Sequence, residues 1–321
     1  MRLLLLGGTS FVGRALAQEA LDRGHEVELF SRGRTGADLF PGVVRHVGDR
    51  GEAGTAGDYA ALAGGSWDAV ADVSAYVPRH VREAADVLGT STGRCLFIST
   101  GSVYDRARAA EPMTEDAARL PAEHATEQVT PTTYGPLKVA CEDETWSRYG
   151  DRAVVVRPGV VAGPYDPTDR FTWWVRRAAR GGRLALAGRP EQPVQVVDSR
   201  DLARLCVTLL EDGGTGTYNA VGPAEPVTLA GVVAACAEAA GTRVEVVEVD
   251  PSAVEPALPL VVPDAGHDVM FRRSAARARA AGLTATPLVQ TAADVLAWDR
   301  GRGEPPLSVG ISDEQESRLL G

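Results

Sequence analysis

The sequence predicts an α/β protein: a doubly wound parallel sheet with a smaller C-terminal lobe. Three observations carry that expectation. Short apolar runs alternate with helical stretches through the first half, as strands joined by crossover helices do. The first run, Leu3–Leu6, is continuously apolar and stops at Gly7-Gly8, the pattern of a strand buried on both faces. Beyond Pro158 the alternation loosens, and Gly163-Pro164 and Asp166-Pro167 mark irregular chain.

The elements follow in order. Residues 11–23 carry apolar side chains at helical spacing and stop at Gly24, a natural C-cap. Residues 26–30, 43–47 and 67–73 read as the second, third and fourth strands, with a helix over about 79–88 after them. A fifth strand spans 94–99, a helix carries Tyr134 and Lys138 to about Tyr149, and a sixth strand spans 153–157. Helices over 172–180 and 201–210 follow, with a short strand at 217–219. Segments 228–240, 244–249 and 291–298 complete the lobe. This assigns 1–165 and 195–222 to the sheet domain and 166–194 with 223–300 to the lobe. Residues 301–321, polar and holding Pro305-Pro306, read as a tail or docking arm.

A chain of 321 residues is long enough for an ample core. Its net charge of −10 argues against a nucleic-acid surface, which needs a concentrated basic face. Arg176, Arg177, Arg180 and Arg183 do cluster, but their period marks a solvated helix face. The four cysteines are scattered without a CxxC pair, as buried or idle thiols in a reducing compartment are. No HxxxH or HExxH pattern suggests a metal. The leucines after Arg2 are too few for a signal peptide, and no segment approaches the ~20 apolar residues of a membrane span. The expectation is a cytoplasmic protein with a small-molecule partner, neither membrane nor nucleic acid.

Gly7-Gly8-Thr9-Ser10-Phe11-Val12-Gly13 sits between the first strand and the first helix, where a phosphate-binding turn belongs. Glycines there let backbone approach a pyrophosphate, whose charge the helix N-terminus favours. Ser10 stands where a GxxGxxG pattern has its middle glycine; serine is small, and its hydroxyl can donate to phosphate. The second strand ends in Phe30-Ser31-Arg32-Gly33-Arg34. No carboxylate is there to accept a ribose 2′-hydroxyl, and two arginines suit a 2′-phosphate, so NADP(H) is favoured over NAD(H). Tyr134 and Lys138 lie one helical turn apart. An ammonium about 4 Å from a phenol, at an effective dielectric near 20, favours the phenolate by about 4 kcal/mol. That is close to three pKa units, enough to bring a phenol of reference pKa about 10 towards neutrality as a proton-transfer group.

Together these residues resemble the short-chain dehydrogenase/reductase superfamily, in its extended or atypical branch with epimerases and dehydratases (a GGxxxxG subgroup). The resemblance runs through the Gly7–Gly13 turn, Leu96 to Tyr104, Tyr134…Lys138, Arg157 to Pro164 and Val196 to Leu202. It implies a Rossmann domain that binds dinucleotide. It implies Thr100 as the hydroxyl partner of the substrate oxygen, with Ser102 a neighbouring candidate and Ser99 a weaker one. Tyr134 would be general acid/base, and Lys138 would hold the nicotinamide ribose. Pro158 to Val161 would pass the carboxamide, and Asp49 would lie near the adenine. Arg170, Phe171, Trp174 and Gln195 fall where relatives build a substrate pocket, and His124 lies in the loop before Tyr134. A homodimer through a four-helix interface is common in such relatives.

Two departures narrow the expectation. Many members hold a relay water with an asparagine, yet the only asparagine here is Asn219. Sugar dehydratases carry Asp-Glu after the Thr100-type residue, where this chain has Gly101-Ser102. The leading expectation is an NAD(P)(H)-dependent oxidoreductase moving hydride at a carbinol, carbonyl or imine carbon. The alternative is a sugar or nucleotide-sugar epimerase with retained NAD. A non-catalytic dinucleotide- or RNA-binding protein is the third reading.

Overall fold

The computed structural model describes residues 1–223, 226–262 and 264–321. Along the chain run β1 (Arg2–Leu6), α1 (Phe11–Asp22), β2 (Glu26–Ser31), β3 (Val44–Val47), β4 (Trp67–Asp72), α2 (Pro78–Leu88) and β5 (Thr92–Ile98). Then come α3 (Tyr134–Tyr149), β6 (Ala153–Pro158), β7 (Val160–Ala162), α4 (Arg170–Ala179), β8 (Gly182–Leu186), β9 (Pro193–Val194), β10 (Val196–Asp198) and α5 (Ser199–Glu211). The chain ends with β11 (Gly216–Ala220), β12 (Val227–Thr228), α6 (Leu229–Ala240), β13 (Val244–Glu248), α7 (Ala276–Ala280), α8 (Leu288–Gly301) and α9 (Asp313–Leu320).

Seven strands form one sheet in the order β11-β6-β5-β4-β1-β2-β3, every pair parallel. Strand β1 lies inside it, paired on both edges, which is why Leu3 to Leu6 are all apolar and all buried. The chain winds outward from β1 in one direction to β3, then returns to β4 and winds the other way. The switch point therefore lies between the C-terminal ends of β1 and β4, where open parallel sheets bind ligands. Helix α1 covers the sheet with Gly13, Leu16, Ala17 and Ala20, one stripe at helical spacing.

The chain divides into two compact units: Met1–Gly159, Ser199–Ala220 and Ser274–Thr284 form the first, the remainder the second. The boundaries differ from the sequence expectation. Residues 160–165 and 195–198 belong to the second unit because β7 and β10 pair with each other, and α7 joins the first. In the second unit α4, α6 and α8 pack together over a core that includes Phe171, Trp173 and Trp174.

Of the two readings of residues 301–321, the structure agrees with the docking arm: Ser312 and Gln315 form a capping box at α9, whose buried Glu316 accepts from the Ala185 amide. The arginine cluster is a solvated face only in part: Arg180 and Arg183 are exposed, while α8 and α9 bring carboxylates to the others. Arg176 takes both oxygens of Asp299 (2.8 and 2.7 Å), buried Arg177 lies 2.5 Å from Glu316, and Arg180 reaches Glu316 and Asp313. Arg183 stands on β8 and donates to the Leu320 carbonyl.

All four cysteines are free and buried, on β5, α3, α5 and α6. No helix among the described residues is long and apolar enough to cross a membrane. No cluster of metal-binding side chains occurs among them.

Candidate functional site

The nucleotide end is built from closely packed glycines. A Cβ on Gly8 would come within 2.5 Å of Leu29, and one on Gly13 within 3.0 Å of the Gly8 backbone. Gly7 turns with φ of 107°, open to glycine at little cost. Exposed Ser10 caps α1 by backbone alone; its side chain makes no cap hydrogen bond. The amides of Phe11, Val12 and Gly13 open the helix, and such first-turn amides have no intrahelical acceptor. This cradle suits a pyrophosphate by its shape and its amides.

At the end of β2, Ser31 is half-buried and its hydroxyl accepts from the Gly33 amide at 3.4 Å. Arg32 and Arg34 are exposed, and Arg34 stands 3.8 Å from the Asp49 carboxylate, a loose surface pair. Asp49 also accepts from the Gly51 amide at 3.2 Å.

Lys138 is held differently from a solvated lysine. It is buried, and its ammonium donates to the carbonyls of Ala75 and Ile98, each at 2.8 Å. The ring of Phe97 lies 4.1 Å from it and that of Tyr76 5.8 Å. Two of its three protons are thus committed to the ends of β4 and β5, leaving one for a ligand. Burial pushes its pKa down, with Cys141, Asp72 and Glu142 pulling the other way.

Ala75 is itself fixed. Asp72 closes the turn after β4 by accepting from the Ser74 and Ala75 amides, both at 3.0 Å, while the Ser74 hydroxyl donates to the Leu6 carbonyl.

Tyr134 opens α3 half-buried, its ring 6.3 Å from that of Tyr76. Gly135 explains its position: a Cβ there would lie 2.4 Å from the Ser102 carbonyl. Only glycine lets the first turn of α3 press against the turn after β5. That turn starts at Thr100, whose hydroxyl accepts from the Ser102 amide (3.1 Å) and donates to the Ser102 hydroxyl (3.3 Å). Thr100, Ser102, Tyr134 and Lys138 are therefore brought together within the first unit. Ser99 is not available: it is buried and donates to Glu142 at 2.5 Å.

Glu142 is a residue the sequence reading missed. It continues the face of Tyr134 and Lys138 by one more turn and is fully buried. Arg157 grips both its oxygens (2.8 and 2.7 Å), and Arg119 adds a third bond at 3.0 Å. Arg157 also donates to the Tyr104 hydroxyl, which donates in turn to Asn219 at 2.6 Å. The lone asparagine is thus part of a buried network that also takes in the Met113 and Ser274 carbonyls, and it is committed there. Glu142 recurs at i+4 after Lys138, but it is its burial, which local spacing does not show, that demands a buried cation. Tyr76, just past β4, was also missed.

Pro158 ends β6 in the first unit, while Val161 is buried on β7 in the second. The proposed substrate residues of the second unit fare less well. Phe171 and Trp174 belong to its core, and the Trp174 indole donates to the Pro259 carbonyl at 2.8 Å. Gln195 is buried and clamps Arg273 by both its amide N–H (2.9 Å) and carbonyl (3.0 Å), so its polar atoms are spent on backbone. Arg170 remains half-exposed, bonded to the Thr168 hydroxyl at 3.1 Å. His124 is exposed.

The model of the NAD dependent epimerase/dehydratase family matches residues 3–221. The chloroplast stem-loop binding protein of 41 kDa b from Arabidopsis thaliana is 25% identical over 261 residues, 75% of this chain. The chain spans 63% of that relative's length. The UDP-glucose 4-epimerase of Thermus thermophilus, solved with NAD, superposes with a TM-score of 0.63 at 22% identity, covering 94% of this chain and 99% of that one. The Bordetella bronchiseptica enzyme WbmH, solved with NAD+, superposes at 0.66 with 19% identity, covering 94% and 99%. These structures share the fold, and the family model covers well over half of the sequence. The chain belongs to the NAD dependent epimerase/dehydratase family.

Proposed function

We propose that this protein is an NAD(P)(H)-dependent oxidoreductase acting at a carbinol or carbonyl carbon of a small molecule. The observation that carries the reading is the Lys138 ammonium, fixed by the Ala75 and Ile98 carbonyls one turn along α3 from Tyr134. A bound nicotinamide cofactor would supply or take the hydride. The protein's part is proton transfer and positioning. Tyr134 gives its phenolic proton to the substrate oxygen in reduction and takes one back in oxidation. The Lys138 charge favours the phenolate left behind, and the Thr100 hydroxyl, turning from Ser102, donates to the developing oxyanion. Tyr134→Phe should lower substrate-dependent NADPH consumption by about 10²–10⁴ while leaving NADPH affinity unchanged; undiminished turnover would remove Tyr134 from this role.

The cofactor preference rests on exposed Arg32 and Arg34 at the end of β2, with no carboxylate among residues 30–36. NADPH should bind more tightly than NADH, and Arg32→Ala should narrow the gap. Equal affinities in the wild type would sink this preference.

The family match favours a second reading, an epimerase that oxidises and re-reduces a sugar or nucleotide sugar. NAD that copurifies, survives dialysis and shows no net turnover would move this reading to the front. Elimination of water fits poorly, since Gly101-Ser102 offers no acid–base pair beside Thr100.

A further inference from the structure

The chain between β3 and β4 (residues 48–66) crosses from the sheet edge back past β2 and β1. Its first part carries Asp49, and residues 52–56 are exposed. Its second part is held by apolar packing, with Tyr59 and Leu62 in a buried cluster that includes Leu4, Phe30 and Leu88. Its first part is held by charges.

Arg79, in the first turn of α2, is buried with every face of its guanidinium engaged. It donates to the Arg50 carbonyl at 2.8 Å and to the Glu52 carbonyl at 3.0 Å. It also grips both oxygens of Glu127 (2.9 and 3.0 Å) and reaches Glu83 at 3.2 Å. The two carboxylates turn back to the same loop: Glu127 accepts from the Gly54 amide at 3.0 Å, and Glu83 from the Gly57 amide at 2.9 Å. One buried cation and two anions thus fix four main-chain groups of a surface loop by charge-assisted bonds. Within the loop the Asp58 amide donates to the Asp49 carbonyl at 2.6 Å. Arg50 extends the device, its guanidinium lying 2.9 Å from the Asp72 carboxylate that closes the turn after β4. Glu127 lies seven residues before Tyr134, so the same clasp reaches the segment leading into α3.

We infer that Arg79, with Glu83 and Glu127, is a positioning residue for the adenine half of the cofactor. The clasp holds the Asp49 loop in its receiving shape before the ligand arrives, so binding does not bear the cost of ordering it. The inference rests on the dinucleotide reading above.

The test separates the two halves of the ligand: ADP-ribose and reduced nicotinamide mononucleotide are titrated against wild type, Arg79→Ala and Glu127→Ala, with circular dichroism as the check on folding. The dissociation constant for ADP-ribose should rise about tenfold in Arg79→Ala, a loss of loop preorganisation, and about threefold in Glu127→Ala. That for the mononucleotide should stay within about twofold, since none of the bonds of Arg79, Glu83 or Glu127 is made to Thr100, Tyr134 or Lys138. Glu127→Gln, which keeps an acceptor for the Gly54 amide but loses the charge, should recover only part of the affinity. If Arg79→Ala does not fold, the Glu127 pair decides. Unchanged ADP-ribose affinity in folded variants, or equal weakening of both ligands, overturns the inference while leaving the dinucleotide reading intact. A wild type that binds neither ligand removes both.

Discussion

Helices α3 and α4 begin alike and end differently. Each opens with aromatic side chains that sequence reasoning placed at the site, Tyr134 on one and Phe171 with Trp174 on the other. Tyr134 stays half-buried, because Gly135 lets α3 press against the Ser102 carbonyl and the tyrosine stands at the rim of that contact. Phe171 and Trp174 are almost wholly buried, packed among α4, α6 and α8. The difference lies in the neighbours, not in the aromatic residues.

The comparison can be broken at either helix. The largest effect is expected at α3, where Tyr134→Phe should lower kcat by about 10²–10⁴, the usual contribution of a general acid. Trp174→Ala should cost about 3–5 kcal/mol of stability through the cavity it leaves, read from chemical denaturation. An unchanged midpoint with a raised KM would instead return Trp174 to a substrate pocket. Gly135→Ala should keep the protein folded but lower kcat about 10²-fold, because shifting α3 from Ser102 misplaces Tyr134. Full activity in that variant would show that the close approach does not set the site. Gln195→Leu should cost about 1–3 kcal/mol by stripping the Arg273 backbone of its partners, with KM unmoved.

The smallest effect concerns pH. Burial, with the Arg50 and Arg79 charges nearby, pushes His80 down to about 4, against the pull of Asp72 and Glu127. Its folded value lies below the unfolded one, so between these values the unfolded chain binds more protons. Stability should therefore fall as pH drops from about 6.5 towards 4, by about 1–2 kcal/mol after allowing for partial exposure. A melting temperature equally pH-dependent in His80→Gln would assign the loss to other groups.

The sheet was legible in the sequence because a strand buried on both faces must be continuously apolar, and Leu3–Leu6 or Val154–Val156 can be little else. The pairing of Tyr134 with Lys138 was legible for a similar reason, since helical spacing is local. What escaped was set by distant chain. Nothing near Lys138 announces that Ala75 and Ile98 will hold its ammonium, and nothing near Gln195 announces the Arg273 backbone. The arginines of α4 read as solvated because Asp299 and Glu316, which neutralise them, lie more than a hundred residues on. Local periodicity shows which face is polar. It cannot show whether water or a carboxylate will meet it.

The four buried thiols give the molecule a built-in record of its own opening. Burial raises the pKa of each, so a sulfhydryl reagent finds no thiolate in the folded state. Cys236 lies in the second unit and the other three in the first. Timed alkylation under mild denaturant, followed peptide by peptide, would therefore report which half of the protein loosens first.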